Sequence, residues 1–265
     1  LVGQMFDDFL KPAVDRSTAC EDPPLATAVK TTGLDDLGWW ISRLQDRLGE
    51  AGLPVAEHRS GSDAEQYYAA EECVQLKEVL EGVDGELPYG RVACGLAAWA
   101  LVLAHRLRRD RVVIGVPFAM DSEQGLSANM LPIIAEIRDR SIGDLLESIS
   151  DQISDAIEHR RASLGTIVAG MPGDNNYLRP PVDGVLTIDD LVRHRDDGVV
   201  IRWQATRFSS FQASVVIPQS GSTFGIEAES GFLGGESSDS MLHRWMYVVD
   251  RLAAIASSAG SEMPA

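Results

Sequence analysis

Side chains able to move protons or hold metals are scattered through this sequence and form no motif. The histidines are His58, His105, His159, His194 and His243, and none stands in an H-E-x-x-H or other metal-ligand spacing. A general base needs its target within reach and usually a third group to hold its ring. His105 and His159 fall near the C-terminal ends of expected helices, where an imidazolium suits the dipole, so they read as helix-end cations or solvated faces and not as general bases. Cys20, Cys73 and Cys94 are odd in number and form no C-x-x-C, which argues against a disulfide framework or a zinc site. There is no G-x-S-x-G, P-loop or G-x-G-x-x-G. The pairs Asp7-Asp8, Asp35-Asp36, Asp189-Asp190 and Asp196-Asp197 are poor acid–base dyads, because neighbouring residues point apart; they suit helix starts and turns. Asp174-Asn175-Asn176 has cation-binding residue types but sits in a Gly/Pro-rich loop and reads as a turn. Taken alone, these residues identify no catalytic centre, metal site or directly bound cofactor.

Composition narrows the classes further. With 265 residues and 45% hydrophobic content, the chain can bury a sizeable core. A formal net charge of −17 repels phosphate backbones and anionic lipid, so neither nucleic acid nor membrane is an expected partner. No apolar run reaches the length of a membrane span, Leu1–Pro12 is too polar for a signal peptide, and a reducing cytoplasm fits the cysteine usage. The first residue is Leu, not Met, which suits a fragment or a processed product.

The elements that must position any site follow from periodicity. Leu1–Leu10 and Leu34–Gly49 have helical spacing, the second with Leu37, Trp40, Ile41, Leu44 and Leu48 on one side. Val14–Thr32 and Pro54–Asp63 read as connections. Glu65–Ala70 is an expected strand and Glu71–Glu81 a short helix carrying Val74, Leu76, Val79 and Leu80. Gly82–Pro88 is a turn, and Gly90–Arg109 a helix apolar nearly all round, hence interior. Arg111–Pro117 reads as a strand buried on both faces, Asp121–Ser127 as a loop, and Asn129–Ile134 as a second apolar run. Ser141 and Asp144 can form a capping box opening a helix whose Ile142, Leu145, Leu146, Ile149, Ile153, Ala156 and Ile157 share a face. Gly165–Pro181 reads as a long loop with a strand start at Thr166–Val168, followed by a weak strand Val185–Ile188 and a charged turn His194–Gly198. Val199–Arg207 and Phe211–Pro218 read as strands. Thr223–Glu229 alternates strictly, the mark of a half-buried antiparallel strand. After a turn at Gly231–Glu236, Ser237–Ala256 is the last helix, with Ile255 among its inward residues and a fraying tail beyond Ser257. The fold class is α/β, a mixed sheet with helices packed on it.

Several of these segments, in order, resemble the C-terminal half of the condensation domains of nonribosomal peptide synthetases, within the chloramphenicol-acetyltransferase-like superfamily. The buried helix Leu96–Leu107 precedes Asp110-Arg111-Val112-Val113-Ile114-Gly115-Val116-Pro117, which is similar to the family's "DVVVGTPVAGR". Ser127-Ala128-Asn129-Met130-Leu131-Pro132 resembles "GFFVNTLPLR", and Ser141–Leu146 resembles "TFRELLARVR". Trp39-Trp40 resembles a "YW" between the family's two halves, Phe224–Ala228 and Ser238–Leu252 its closing strand and helix, and Leu1–Leu10 the helix just after its active-site motif.

The resemblance implies a chloramphenicol-acetyltransferase-like lobe over 51–258, with 1–50 a remnant of the N-terminal lobe and crossover and 259–265 a flexible tail. It implies a condensation-type acyltransferase acting on thioesters that acyl or peptidyl carrier proteins present on phosphopantetheine. The two lobes would flank a substrate tunnel, with Ser127 and Asn129 near it and the Gly165–Pro181 region contributing a crossing loop; the other reading of Asn129 is a hydrogen bond to its neighbouring loop. The family's H-H-x-x-x-D-G, whose second His is the base or positioning group, is absent from these residues and would lie upstream of Leu1. Its Gly-Arg after the strand is Ala119-Met120 here, and the Arg after Leu-Pro-Leu is Ile134, which puts the acceptor-side loop in doubt. Two further readings follow: a non-catalytic condensation-like module that binds a carrier protein or partner enzyme, completed by the missing lobe or another chain, and an acyl-CoA-dependent acyltransferase of the same superfamily.

Overall fold

The computed structural model describes residues 34–48, 66–85, 87–122, 125–170, 182–189, 191–194, 200–202 and 211–260. The expected helix Leu1–Leu10, the connections Val14–Thr32 and Pro54–Asp63, and Asp174–Asn176 lie outside these residues.

The core is built on one buried helix. Gly90–Leu107 (α3) keeps thirteen residues from Gly90 to Ala104 buried, as its all-round apolar sequence requires. Its close packing on the sheet needs small residues: a Cβ at Gly184 would lie 2.7 Å from the Trp99 Nε1, and one at Gly95 would collide with Ile217. Around it, in chain order, are α1 (Leu34–Leu48), β1 (Gln66–Glu72), α2 (Val74–Val83), β2 (Arg111–Ser122), β3 (Gly125–Glu136), α4 (Ile142–Glu158) and α5 (Leu164–Gly170). Then follow β4 (Gly184–Ile188), β5 (Val192–His194), β6 (Val200–Arg202), β7 (Ala213–Ile217), β8 (Thr223–Glu229), α6 (Ser230–Leu233) and α7 (Ser238–Gly260).

Six strands form one mixed sheet in the order β1-β8-β7-β4-β2-β3, while β5 and β6 pair separately. The central pairs β2–β4 and β4–β7 are parallel; β1–β8, β7–β8 and β2–β3 are antiparallel. Parallel neighbours are buried on both faces, and β4 accordingly reads GVLTI with its first three residues buried. Trp40 and Leu44 of α1 join the same core as α3, α4 and α7, so this helix packs on the lobe.

Several expectations change. In the expected loop Asp121–Ser127, residues 121–122 and 125–127 are strand: β2 and β3 stay in register from Arg111↔Glu136 to Ser122↔Gly125. Backbone donors and acceptors pair whatever side chain they carry, so the apolar half of the ladder extends into the polar segment. Thr166–Val168 is helix, in α5, because Ser163 closes its first turn by accepting from the Thr166 amide at 3.1 Å while Leu164 and Ile167 are buried. β1 continues to Glu72 because its pairing runs to Thr223, which delays α2 to Val74 and leaves Val74 and Val79 exposed. Gly231–Glu236 contains the end of a one-turn helix, α6, closed by Gly234 at φ 55. The last helix runs to Gly260, past the expected frayed end, and Ile255 faces outward. His194 belongs to β5, paired with Val200, and not to the expected turn, while Val200–Arg202 of the expected strand Val199–Arg207 is strand, with 195–199 and 203–210 outside the described residues. Finally, β8 is buried on both faces, including Glu227 and Glu229, and not half-buried.

Candidate functional site

The hairpin that carries the tunnel expectation is fastened at its edge. Ser127 and Asn129 are two residues apart on β3, and their register partners on β2 are Met120 and Phe118. The Asn129 Nδ2 donates to the Arg160 carbonyl at 2.9 Å and to the Ala162 carbonyl at 2.8 Å. Its Oδ1 accepts from the Met130 amide at 2.8 Å and the Leu164 amide at 3.2 Å. Both donors and both acceptor positions of the amide are engaged, so Asn129 ties β3 to the link between α4 and α5. Gln152 of α4 makes a second clasp on the same strand, accepting from the Ile134 amide at 3.0 Å and donating to its carbonyl at 2.8 Å. α4 itself opens with the expected capping box between Ser141 and Asp144. The Ser141 hydroxyl and amide, donating to the Asp144 carboxylate, hold that group below the usual aspartate range.

His159, the C-cap of α4, is a joint between elements. Its ring stacks on Trp39 at 4.2 Å, its Nδ1 lies 3.3 Å from the Asp36 Oδ1, and its carbonyl accepts from the Trp40 Nε1 at 2.8 Å. The Asp36 Oδ2 accepts from the Arg161 amide, and Arg43 pairs with Asp155. This fixes α1 across the end of α4, consistent with the helix-end reading of His159. His105 is exposed in the last turn of α3, and His243 of α7 pairs with Glu71 on β1. Cys94 is inert, since burial first and the Asp84 charge second push its thiol up to about 12.

The face of the sheet opposite Phe224, Ile226 and Ala228 carries the polar surprises. Glu227 and Glu229 of β8 are 5% and 6% exposed. Glu227 lies directly across from Tyr68 of β1 and Ser214 of β7; Glu229 lies across from Gln66. Burial raises the Glu227 carboxyl; burial, and then the Glu227 charge, raise the Tyr68 phenol. Neither the Glu227 Oε1 nor the Gln66 Oε1 has a hydrogen-bond partner among the described residues. At the entry to β4, Asp183 is as deeply buried but fully engaged. Its Oδ1 accepts from the Arg109 Nη1 and its Oδ2 from the Val113 amide, at 2.9 and 2.8 Å. Burial still outweighs these two contacts and raises the Asp183 carboxyl.

The fold now has known counterparts. The condensation domain of the monacolin K polyketide synthase MokA superposes with a TM-score of 0.64 at 14% identity, over 83% of this chain and 57% of that one. This is the condensation-domain fold. The first condensation domain of the CDA synthetase gives 0.63 at 16% identity, covering 89% of this chain and 53% of its own. A variant of the starter condensation domain of the rhizomide synthetase RzmA, in complex with C8-CoA and Leu-SNAC, gives 0.61 at 15%, over 89% and 55%. The chain thus spans little more than half the length of these condensation-domain structures. No family model matches the sequence, and no curated protein matches it.

Among the described residues, no three His, Cys, Asp or Glu side chains could hold a metal ion, and no helix is long and apolar enough to cross a membrane. Sequence reasoning missed Asp183, Glu227 and Gln152. An acidic residue just before the apolar run of β4 was the available signal for Asp183. Strict alternation placed Glu227 on a face assumed to be wet, and nothing local marked Gln152 on the inner side of α4.

Proposed function

We propose that the chain is the C-terminal part of a condensation-type acyltransferase of nonribosomal peptide or related natural-product biosynthesis, working in the cytoplasm. The observation that carries this reading is the superposition on condensation domains over 83–89% of the chain but only 53–57% of theirs. The ordered motifs from Asp110 to Leu146 support the C-terminal assignment. The substrates are acyl or aminoacyl thioesters carried on the phosphopantetheine of acyl or peptidyl carrier proteins. Ligands of the thioester kind in the rhizomide-synthetase neighbour support that class. In the reaction an amine or hydroxyl attacks the thioester carbonyl, the C–S bond breaks, and the thiol leaves with the proton that the nucleophile gives up. Binding both partners in one channel makes attack effectively unimolecular.

In this reading, β3 forms part of the channel wall at Ser127 and Asn129. The role of Asn129 is to hold that wall in shape, since its amide is fully engaged inside the lobe. The proton-handling His belongs to an H-H-x-x-x-D-G segment outside these 265 residues.

The test is reconstitution. The chain is incubated with an octanoyl-loaded and a leucyl-loaded carrier protein, with and without the polypeptide encoded next to it that carries H-H-x-x-x-D-G, and products are read by mass spectrometry. Octanoyl-leucyl product only when both polypeptides are present supports the reading. Carrier binding by native mass spectrometry without product in either arm would replace it with the non-catalytic module. Neither binding nor product would overturn both.

A further inference from the structure

The most unusual chemical feature of the described residues is a carboxylate and an amide oxygen that face each other diagonally and lack donors. Gln66 and Glu227 sit on adjacent antiparallel strands, β1 and β8, two positions apart in register, so their Cβ atoms are about 7 Å apart on one face. Tyr68 completes the group, directly across from Glu227. We propose that Glu227, Gln66 and Tyr68 form a binding site for a primary alkylammonium group. This goes beyond acyl transfer, for which no cation on this face is needed.

Two observations carry it. First, Glu227 is 95% buried by its 5% exposure, and no Lys or Arg among the described residues pairs with it. A buried anion without a partner is costly, and a cation that reaches it removes the cost. Second, both orphan atoms are acceptors, Glu227 Oε1 and Gln66 Oε1, so the missing group is a donor with more than one N–H. Metal ions fit less well. A hard cation takes six or more oxygens, whereas two oxygens beside a phenol ring suit an ammonium, which bonds the oxygens and rests on the ring.

The experiment is an NMR titration of the full 15N-labelled chain with n-butylammonium, with n-butanol of the same shape but no charge, and with tetramethylammonium, which has no N–H. Saturable shifts at the amides of Gln66, Tyr68 and Glu227 with butylammonium, absent with butanol and weak with tetramethylammonium, are expected. Glu227→Gln keeps the shape, removes the charge, and should weaken butylammonium about tenfold, the value of one charge-assisted hydrogen bond. Unchanged amide dispersion elsewhere shows that the variant is folded. Equal response to butanol and butylammonium, no saturation, or full binding by Glu227→Gln would each overturn the proposal. All three results leave the reconstitution test untouched, so the two readings fail separately.

Discussion

Asp183 and Glu227 lie on the same sheet, at 6% and 5% exposure, and burial raises both carboxyls. Their surroundings are opposite. Asp183 stands where β4 enters beside β2, and its two oxygens are occupied by the Arg109 guanidinium and the Val113 amide. Glu227 stands mid-strand in β8, where both neighbours are strands whose backbone groups already satisfy one another. A strand entry leaves amides for a side chain to accept from; a strand interior leaves none. Position in the ladder, not depth of burial, therefore decides which carboxylate holds the fold together and which is left open to chemistry.

That contrast can be broken most sharply at Asp183. Asp183→Ala removes both acceptors, leaves the buried Val113 amide without its carboxylate and takes one ion-pair partner from Arg109, and should cost about 3–5 kcal/mol of stability in urea unfolding. A loss below about 1 kcal/mol would mean that water replaces the carboxylate, and the two sites would no longer differ. Next comes Asn129→Ala, which frees two carbonyls and two amides at the α4–α5 link and should cost about 2–3 kcal/mol by the same measurement.

Glu227→Gln tests the other side. At neutral pH it should be neutral or stabilising by about 1 kcal/mol, since it removes an uncompensated charge. The sign of the pH dependence follows from the raised carboxyl. Above the unfolded-state value near 4.5 the unfolded chain gives up this proton first, so stability falls as pH rises through the folded-state value. The advantage of Glu227→Gln over the parent chain should accordingly grow from pH 4 to pH 7 and be absent in acid; a flat difference would show that Glu227 is not desolvated. The smallest effect is spectroscopic. With the Glu227 charge gone, the Tyr68 phenol should titrate lower, yet still above 10 because burial is its larger cause, as read from phenolate absorbance.

How much of this was legible in the sequence varies with the physics of each element. α3 was readable because a helix apolar all round has one place to go, and α4 because Ser141 and Asp144 announce its start chemically. The β2–β3 hairpin was half-read: its apolar half shows in composition, whereas its polar half is held by backbone pairing that leaves no trace in residue types. α5 was misread because seven residues between a Ser cap and a Gly/Pro-rich stretch carry too few periods to register. For the candidate site, resemblance singled out Asn129, and its hydrogen bonds to the α4–α5 link are those of the second reading, a bond to its neighbouring loop. Glu227 was not found, because alternation reveals two faces but not what lies over the second.

The sheet's order also bears on how the chain comes off the ribosome. β1 bonds along its whole length to β8, and the Ser222 hydroxyl that closes the end of this pairing on Glu72 is 150 residues away in sequence. β1 therefore leaves the ribosome long before any partner strand exists and must wait, unpaired and tyrosine-bearing, until nearly the whole lobe has been made. Its closing acidic pair, Glu71-Glu72, is the kind of charge that keeps a waiting strand from joining its copies on neighbouring nascent chains.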